Sequence, residues 1–261
     1  MRKLEAVIFD WAGTTVDYGC FAPVEAFIKA FEEFGITPTV EEVREPMGML
    51  KRDHIRTMLN MKRISAEWER IHGSSFTEDD VEKVYVLSEK KIFEILNGFA
   101  GPKPYVLDAI AELSEMGIKI GSTTGYTDEM MEIVVPAAKT NGYSPDFWCS
   151  PNAVDNMGRP YPYMIYKNMQ QLGVHDVRNV VKVGDTVADI KEGLAAGVIS
   201  VGIIEGSSVM GFSEKEYNML SDEEKAEHCK RVRAVYENAG ADYVLQNMSE
   251  LTSLVRFISA S

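Results

Sequence analysis

Short β-branched runs recur along this chain, each separated from the next by a stretch of helical periodicity. That alternation restricts the fold more than any other feature. The runs are Ala6–Phe9 (AVIF), Lys119–Thr123 (KIGST), Val180–Val183 (VVKV) and Ile199–Ile204 (ISVGII), with a weaker one at Asp242–Leu245. Between them, Val106–Met116, Thr127–Thr140, Pro162–Leu172 and Val187–Ala196 carry apolar residues at helical spacing. Buried strands joined through helices predict an α/β fold, a doubly wound, Rossmann-like parallel sheet covered on both faces. One region breaks the rhythm. From about Phe21 to Leu96 no strand is found, only helical segments: VEAFIKAFEEFG, then PMGMLKRDHIRTMLNM opening on Pro46, then DDVEKVYVLSEKKIFEIL. The predicted division is therefore an α/β core of residues 1–18 and 100–261, with an inserted all-helical cap over 19–99. The cap is left through the Gly/Pro-rich NGFAGPKP at Asn97–Pro104, and two crossings would let it open and close as a lid.

Composition narrows the class of partner. The 261 residues include 45% hydrophobic residues, enough for a packed core, and carry a formal charge of −13. So acidic a chain is unsuited to nonspecific binding of nucleic acid or anionic membranes, although a local pocket can still be positive. Cys20, Cys149 and Cys229 form no CxxC pair, which argues against a disulfide framework or zinc site and fits a reducing cytoplasm. The apolar run in MRKLEAVIFDWAG is too short for a signal peptide, and charge interrupts every other candidate membrane span. A soluble, cytoplasmic protein is expected.

In an open parallel sheet, ligands bind beyond the carboxyl ends of the strands. Four polar signals fall after predicted strands or in loops serving that edge: Asp10, the Thr124–Gly125 pair, Arg159 in GRPYP, and Asp185 with Asp189 in GDTVAD. Each alone has a local reading, as a helix cap, a turn residue or a plain loop. Their order resembles the haloacid dehalogenase superfamily of phosphotransferases, whose motifs stand here as DWAGT, STTG, GRP and GDTVAD. The resemblance implies that Asp10 attacks phosphorus and becomes an aspartyl phosphate. It also implies Mg2+ held by Asp10, the carbonyl of Ala12 and Asp185, with Asp189 in support. The physics agrees: Mg2+ takes carboxylate, phosphate and water oxygens, and it lowers the repulsion between an anionic nucleophile and an anionic phosphoryl group. The Thr124 hydroxyl, the Gly125 N–H and the forked Arg159 guanidinium suit the remaining phosphoryl oxygens.

Ala12 is the anomaly, because ordinary phosphatases of that superfamily carry there a second Asp that protonates the leaving alkoxide. Either the protein is inactive, or its leaving group needs no proton from that position, or another residue supplies one. The segment Pro46–Leu59 bears on the choice. On a helix, Met47, Lys51, His54 and Ile55 share one side. A solvated surface lysine is the plain reading of Lys51. On an apolar lid face, however, desolvation and nearby positive charge would disfavour its ammonium, and a neutral amine can form a Schiff base with an aldehyde. Five pieces resemble the phosphonatase branch of the superfamily: FDWAGTTVD, the MGxxKxxH segment at Met47–His54, STTGYT, GRPYP and VGDTVAD.

That resemblance covers almost the whole chain and implies hydrolysis of the carbon–phosphorus bond of phosphonoacetaldehyde to acetaldehyde and phosphate. An imine on Lys51 would act as the electron sink, so that a neutral enamine leaves when Asp10 attacks phosphorus and no acid is wanted at position 12. His54, near neutrality when unperturbed, suits proton transfer during imine formation. Met47 and Gly48 would shape the cap wall, and Cys20 and Tyr126 would line the pocket. For Cys20 a small buried apolar role is the alternative. Trp11 is read as a packing or wall residue. The resemblance further implies a homodimer through the cap, whereas the amphipathic Phe21–Gly35 helix could equally pack within the cap itself. Competing functions are another superfamily phosphatase or a dehalogenase, neither of which gives Lys51 a task, and an inactive sensor of an anionic metabolite, against which the retention of Asp10, Lys51, Thr124, Arg159 and Asp185 together speaks. Ser207–Arg233 is read as a solvated helical excursion.

Overall fold

The structure, a computed structural model, describes residues 3–46 and 51–260. The chain divides into two compact units, one made of Met1–Cys20 with Ala100–Ser261 and the other of Phe21–Phe99.

The first unit is built on six parallel strands, β1 (Ala6–Phe9), β2 (Lys119–Thr123), β3 (Phe147–Cys149), β4 (Val180–Gly184), β5 (Ile199–Ile203) and β6 (Tyr243–Leu245). They lie in the order β3-β2-β1-β4-β5-β6, the doubly wound parallel sheet that the alternation predicts. Every residue of β1, β4 and β5 is buried, as expected of strands with both faces covered. The three-residue edge strand β3 (FWC) is the one the sequence reading missed, since so short a run shows no period. Strand order reverses at β1, and Phe9 pairs across to both Ser122 and Val183. The residues that follow β1 and β4 therefore emerge side by side at the carboxyl edge.

Among the described residues the second unit contains five α-helices: α1 (Phe21–Glu32), α2 (Val40–Arg44), α3 (Lys51–Asn60), α4 (Lys62–His72) and α5 (Glu78–Ile95). Its core is its own, with Phe31, Ile55, Met58, Leu59, Ile64 and Trp68 packed together. Reciprocal capping boxes, Thr39 with Glu42 and Thr77 with Asp80, start α2 and α5. Exposed pairs, Arg52–Glu82 and Arg56–Glu78, tie α3 to α5. Such pairs contribute little singly, so the apolar core carries the stability. The expected helix through Met47 is observed from Lys51 onward; Met47 and Gly48 lie outside the described residues.

The α/β unit adds α6 (Val106–Glu115), α7 (Asp128–Thr140), α8 (Tyr163–Leu172), α9 (Val187–Ala196), α10 (Glu214–Met219), α11 (Asp222–Ala239) and α12 (Leu251–Ala260). The stretch Ser207–Arg233 is less solvated than its charge suggests. Ser207, Met210, Tyr217 and Val232 are buried in it, because α10 and α11 cover the β5 side with an apolar stripe. No helix among the described residues is long and apolar enough to cross a membrane.

Candidate active site

β1 delivers Asp10 and β4 delivers Asp185 to the same edge, where Asp10, Asp185 and Asp189 can each present an oxygen within 4.8 Å of the others. All three are buried. The DWAGT loop after β1 folds back sharply, with the N–H groups of Thr14, Thr15 and Val16 all pointing to the Trp11 carbonyl. Gly13 is needed in this loop. Its φ is +83°, and a Cβ there would stand 2.2 Å from Asp185 Oδ2. The turn brings the Thr14 hydroxyl between two carboxylates, donating to Asp185 Oδ1 at 3.0 Å and lying 3.5 Å from Asp10 Oδ2. Asp185 Oδ2 accepts from the Ser208 N–H at 2.7 Å, and Tyr236 donates to the Asp185 carbonyl at 2.6 Å.

Arg159 stands beside Asp10. Its Nη2 bonds Asp10 Oδ1 at 2.5 Å and the Thr123 carbonyl at 3.0 Å. Its Nε meets Asp189 Oδ1 and Glu192 Oε2, both at 3.1 Å. Burial pushes the Asp10 carboxyl up to about 7; Arg159 opposes the shift, and Asp189 and Asp185 add to it. Burial acts in the same sense on Asp189, but Arg159 and Lys182 outweigh it and hold that carboxyl below its ordinary value.

The acidic cluster separates by role. Asp189 Oδ1 lies 2.9 Å from Lys182 and 3.1 Å from Arg159, as ion pairs without a hydrogen bond, while Oδ2 accepts from the Thr186 N–H at 3.2 Å and its hydroxyl at 2.5 Å. It is thus committed to the chain. Asp10 Oδ2 and Asp185 Oδ1 share only the Thr14 hydroxyl, and the Ala12 carbonyl accepts no hydrogen bond among the described residues. Two close, buried carboxylates, one of them pushed up by burial, are a donor set that a hard divalent cation fits.

The other expected site residues fall as follows. Thr124 is buried, and its hydroxyl accepts from the Tyr126 N–H at 3.0 Å, which leaves its proton free to donate. Gly125 is exposed on the same loop. Tyr126 is half-buried, and desolvation of its hydroxyl, with Cys20 and Asp17 nearby, raises the phenol well above its ordinary value. Cys20 is half-buried with φ +54°. Trp11 is fully buried and packs edge-on against Tyr143, with ring centroids 5.1 Å apart, as a packing residue would.

Two residues of the helical unit differ from expectation. The Schiff-base reading set Lys51 on an apolar, desolvating face; its side chain is 46% exposed and pairs with Glu89, as the plain surface reading has it. It is the first residue of α3 and projects beyond the buried stripe that begins at His54 and Ile55. His54 was expected near neutrality. Instead it is buried in the helical core, stacked on Phe27 at 4.3 Å, and burial lowers its imidazole to about 4.

Lys182, Glu192, Thr123 and Lys103 were missed. Lys182 lies in a strand that reads as apolar and Glu192 on a helix that reads as amphipathic; only the fold shows that both are fully buried beside Arg159. Lys103 Nζ is enclosed by the carbonyls of Gly13, Glu205 (2.8 Å) and Gly206 (2.9 Å), tying the DWAGT loop to the turn after β5. The unusual GPKP context of Lys103 was the only available signal.

A buried carboxylate at the end of β1, a guanidinium paired with it and an acidic pair at the end of β4 match a known class of enzyme. The chain belongs to the haloacid dehalogenase-like hydrolases, whose family profile matches residues 4–197. Within that class its relatives are specific. It is 51% identical over 257 residues to a phosphonoacetaldehyde hydrolase of Lysinibacillus sphaericus, covering 98% of this chain and 96% of the relative. A phosphonoacetaldehyde hydrolase of Bacillus cereus is 50% identical over 98% of this chain and 97% of its own length. Among solved structures, a phosphonoacetaldehyde hydrolase-like protein from Oleispira antarctica superposes with a TM-score of 0.83 at 36% identity, over 98% of this chain and 93% of that one.

Proposed function

We propose that this enzyme hydrolyses the carbon–phosphorus bond of phosphonoacetaldehyde, releasing acetaldehyde and phosphate. The observation that carries the reading is at position 12. Arg159 and two further aspartates gather around Asp10, yet Ala12 offers only a backbone carbonyl where an ester-cleaving enzyme needs an acid. The identity to phosphonoacetaldehyde hydrolases supports the same substrate.

In this reading Lys51 exchanges its ion pair with Glu89 for the substrate aldehyde and forms an imine, losing water. His54, three residues along the same helix, enters as a neutral base, since its imidazole stays unprotonated near pH 7. Asp10 attacks phosphorus; the carbon–phosphorus bonding pair moves into the protonated imine and leaves as a neutral enamine. Water then cleaves the aspartyl phosphate, and the enamine, protonated on carbon, is hydrolysed to acetaldehyde and free Lys51. Arg159, the Thr124 hydroxyl and the Gly125 N–H hold phosphoryl oxygens, with Tyr126 and Cys20 at the wall. Met47 and Gly48 are assigned to the helical wall. Asp10, Asp185 and the Ala12 carbonyl are the residues that would hold Mg2+, with Asp189 as support. Mg2+ would offset charge between the carboxylate and the phosphoryl group.

We extend the reading to a cytoplasmic homodimer joined through the helical unit. Support comes from Cys20, Cys149 and Cys229, none in a disulfide, and from the exposed apolar side chains of Val86 and Phe93 on α5; light scattering on the eluting protein tests the dimer.

The deciding experiment supplies phosphonoacetaldehyde and Mg2+ and follows both products, with Lys51→Arg alongside. Equal release of acetaldehyde and phosphate by the native protein, and of neither by the variant, is expected, because Arg keeps the charge but cannot form the imine. An active Lys51→Arg variant removes the imine. A native protein that cleaves only phosphate esters removes the substrate but leaves the class.

A further inference from the structure

Arg159 is held at two points of its planar fork. Nε sits between Asp189 Oδ1 and Glu192 Oε2, and Nη2 sits on Asp10 Oδ1 and the Thr123 carbonyl. Because a guanidinium is rigid and planar, fixing two of its nitrogens fixes its plane and the direction of the third. That third nitrogen, Nη1, has no protein partner among the described residues, which leaves it for a phosphoryl oxygen.

Only Glu192 Oε2 accepts the Nε–H; Asp189 Oδ1, beside it without a hydrogen bond, is close enough for the two carboxylates to repel each other. Lys182 lies between them, 2.9 Å from Asp189 Oδ1 and 3.4 Å from Glu192 Oε2, and it also bonds the Thr123 hydroxyl at 2.9 Å. Neither Lys182 nor Glu192 is exposed by more than 1%. A buried ion pair of this kind is a poor device for stability, since apolar residues of similar volume often do as well or better. Glu192 is also an inefficient packing residue, because its second oxygen, Oε1, is buried with no partner among the described residues. What recommends a glutamate here is the oxygen that faces Arg159.

We infer that Glu192, with Lys182 as its counter-charge, is a positioning residue for phosphoryl transfer: it sets the plane of Arg159, and through it the alignment of Asp10 with the phosphoryl group. The inference rests on the phosphoryl-site reading above and holds whichever phosphoryl substrate the enzyme takes. Asp189, the other arm on Nε, is already locked by Thr186, so the Glu192 arm is the one that can be removed separately.

The test measures kcat, inhibition by inorganic phosphate and melting temperature, with Mg2+ present and either phosphonoacetaldehyde or an aryl phosphate as substrate. The variants are Glu192→Asp, which keeps the charge but withdraws the oxygen from Arg159, and Lys182→Met/Glu192→Leu, which removes the pair together. In the double variant kcat should fall about tenfold or more, because a misdirected group costs rate. Phosphate inhibition should stay within about threefold of native, since Arg159 keeps its charge though not its direction. Melting temperature should stay near native. Native kcat in the double variant, or a loss that tracks melting temperature across both variants, overturns the positioning role. Should the double variant fail to fold, Glu192→Asp decides alone: lowered kcat at native melting temperature supports the role, and native kcat overturns it. A native protein that inorganic phosphate does not inhibit overturns the phosphoryl-site reading, and this inference with it.

Discussion

At the scale of single residues, burial decides what each ionisable group can do. Asp10 stays in the active constellation although burial pushes it up to about 7, because Arg159 offsets part of the desolvation. Asp10→Asn keeps the shape and removes the proposed nucleophile. Phosphate release should fall by at least about 10³-fold, while borohydride still traps the substrate on Lys51; loss of trapping as well would mean that the two functions are not separable. His54 makes a prediction about stability. Its folded pKa, about 4, lies below its ordinary 6.5, so its contribution is present above pH 6.5 and is lost as pH falls toward 4. Between pH 7 and pH 5 the native protein should lose about 2 kcal/mol relative to His54→Asn, which retains a group for the Val43 backbone but does not titrate. Urea unfolding at the two pH values measures this difference, and parallel curves for the two proteins would refute it. Both residues were named from the sequence, Asp10 by its place after an apolar strand and His54 by its helical spacing. Their environments were not readable, because burial is a property of neighbours distant in the chain.

At the scale of elements, two turns do most of the positioning. The first is the DWAGT loop, where the backbone of Gly13 passes so close to Asp185 that no side chain fits. Gly13→Ala places a methyl group against a carboxylate held by the Ser208 N–H and forces a left-handed φ on alanine. A loss of about 2–4 kcal/mol, with weakened metal-dependent stabilisation, is expected from thermal melts with and without Mg2+. The second is the start of α9, where Thr186 and Asp189 cap each other while Asp189 also takes two cations. Thr186→Val should cost about 1–2 kcal/mol by removing the cap, and should lower kcat by loosening Asp189 beneath Arg159; unchanged kcat would show that the cap is only local. The GDTVAD motif was legible as a candidate ligand, Asp185, with Asp189 in support. Which groups hold Asp189 was not, since those cations come from β4 and from the loop bearing Arg159.

At the scale of the whole molecule, the two units keep separate cores, so damage to one should spare the chemistry of the other. Trp68→Ala empties a fully packed position among the helices and should cost about 3–5 kcal/mol. Stabilisation of the α/β unit by Mg2+ and inorganic phosphate should persist in that variant while turnover, which the reading assigns to Lys51 as well as Asp10, falls; calorimetry with and without these ligands checks it. Loss of both together would mean that the units unfold as one. By itself the sequence determined the parallel sheet, the helical insert and the order of the polar loops. Each of those is written in local period and in the residues that follow a strand. Only the tertiary structure decided that Glu192 and Lys182 lie buried against Arg159, that Asp189 is paired with Arg159 and Lys182 while Asp185 is held by Thr14 and Ser208, and that Lys51 stands exposed against Glu89. The physical reason is range. Periodicity is a property of neighbours in sequence, whereas desolvation and charge pairing are set by groups that the sheet order brings together from far along the chain.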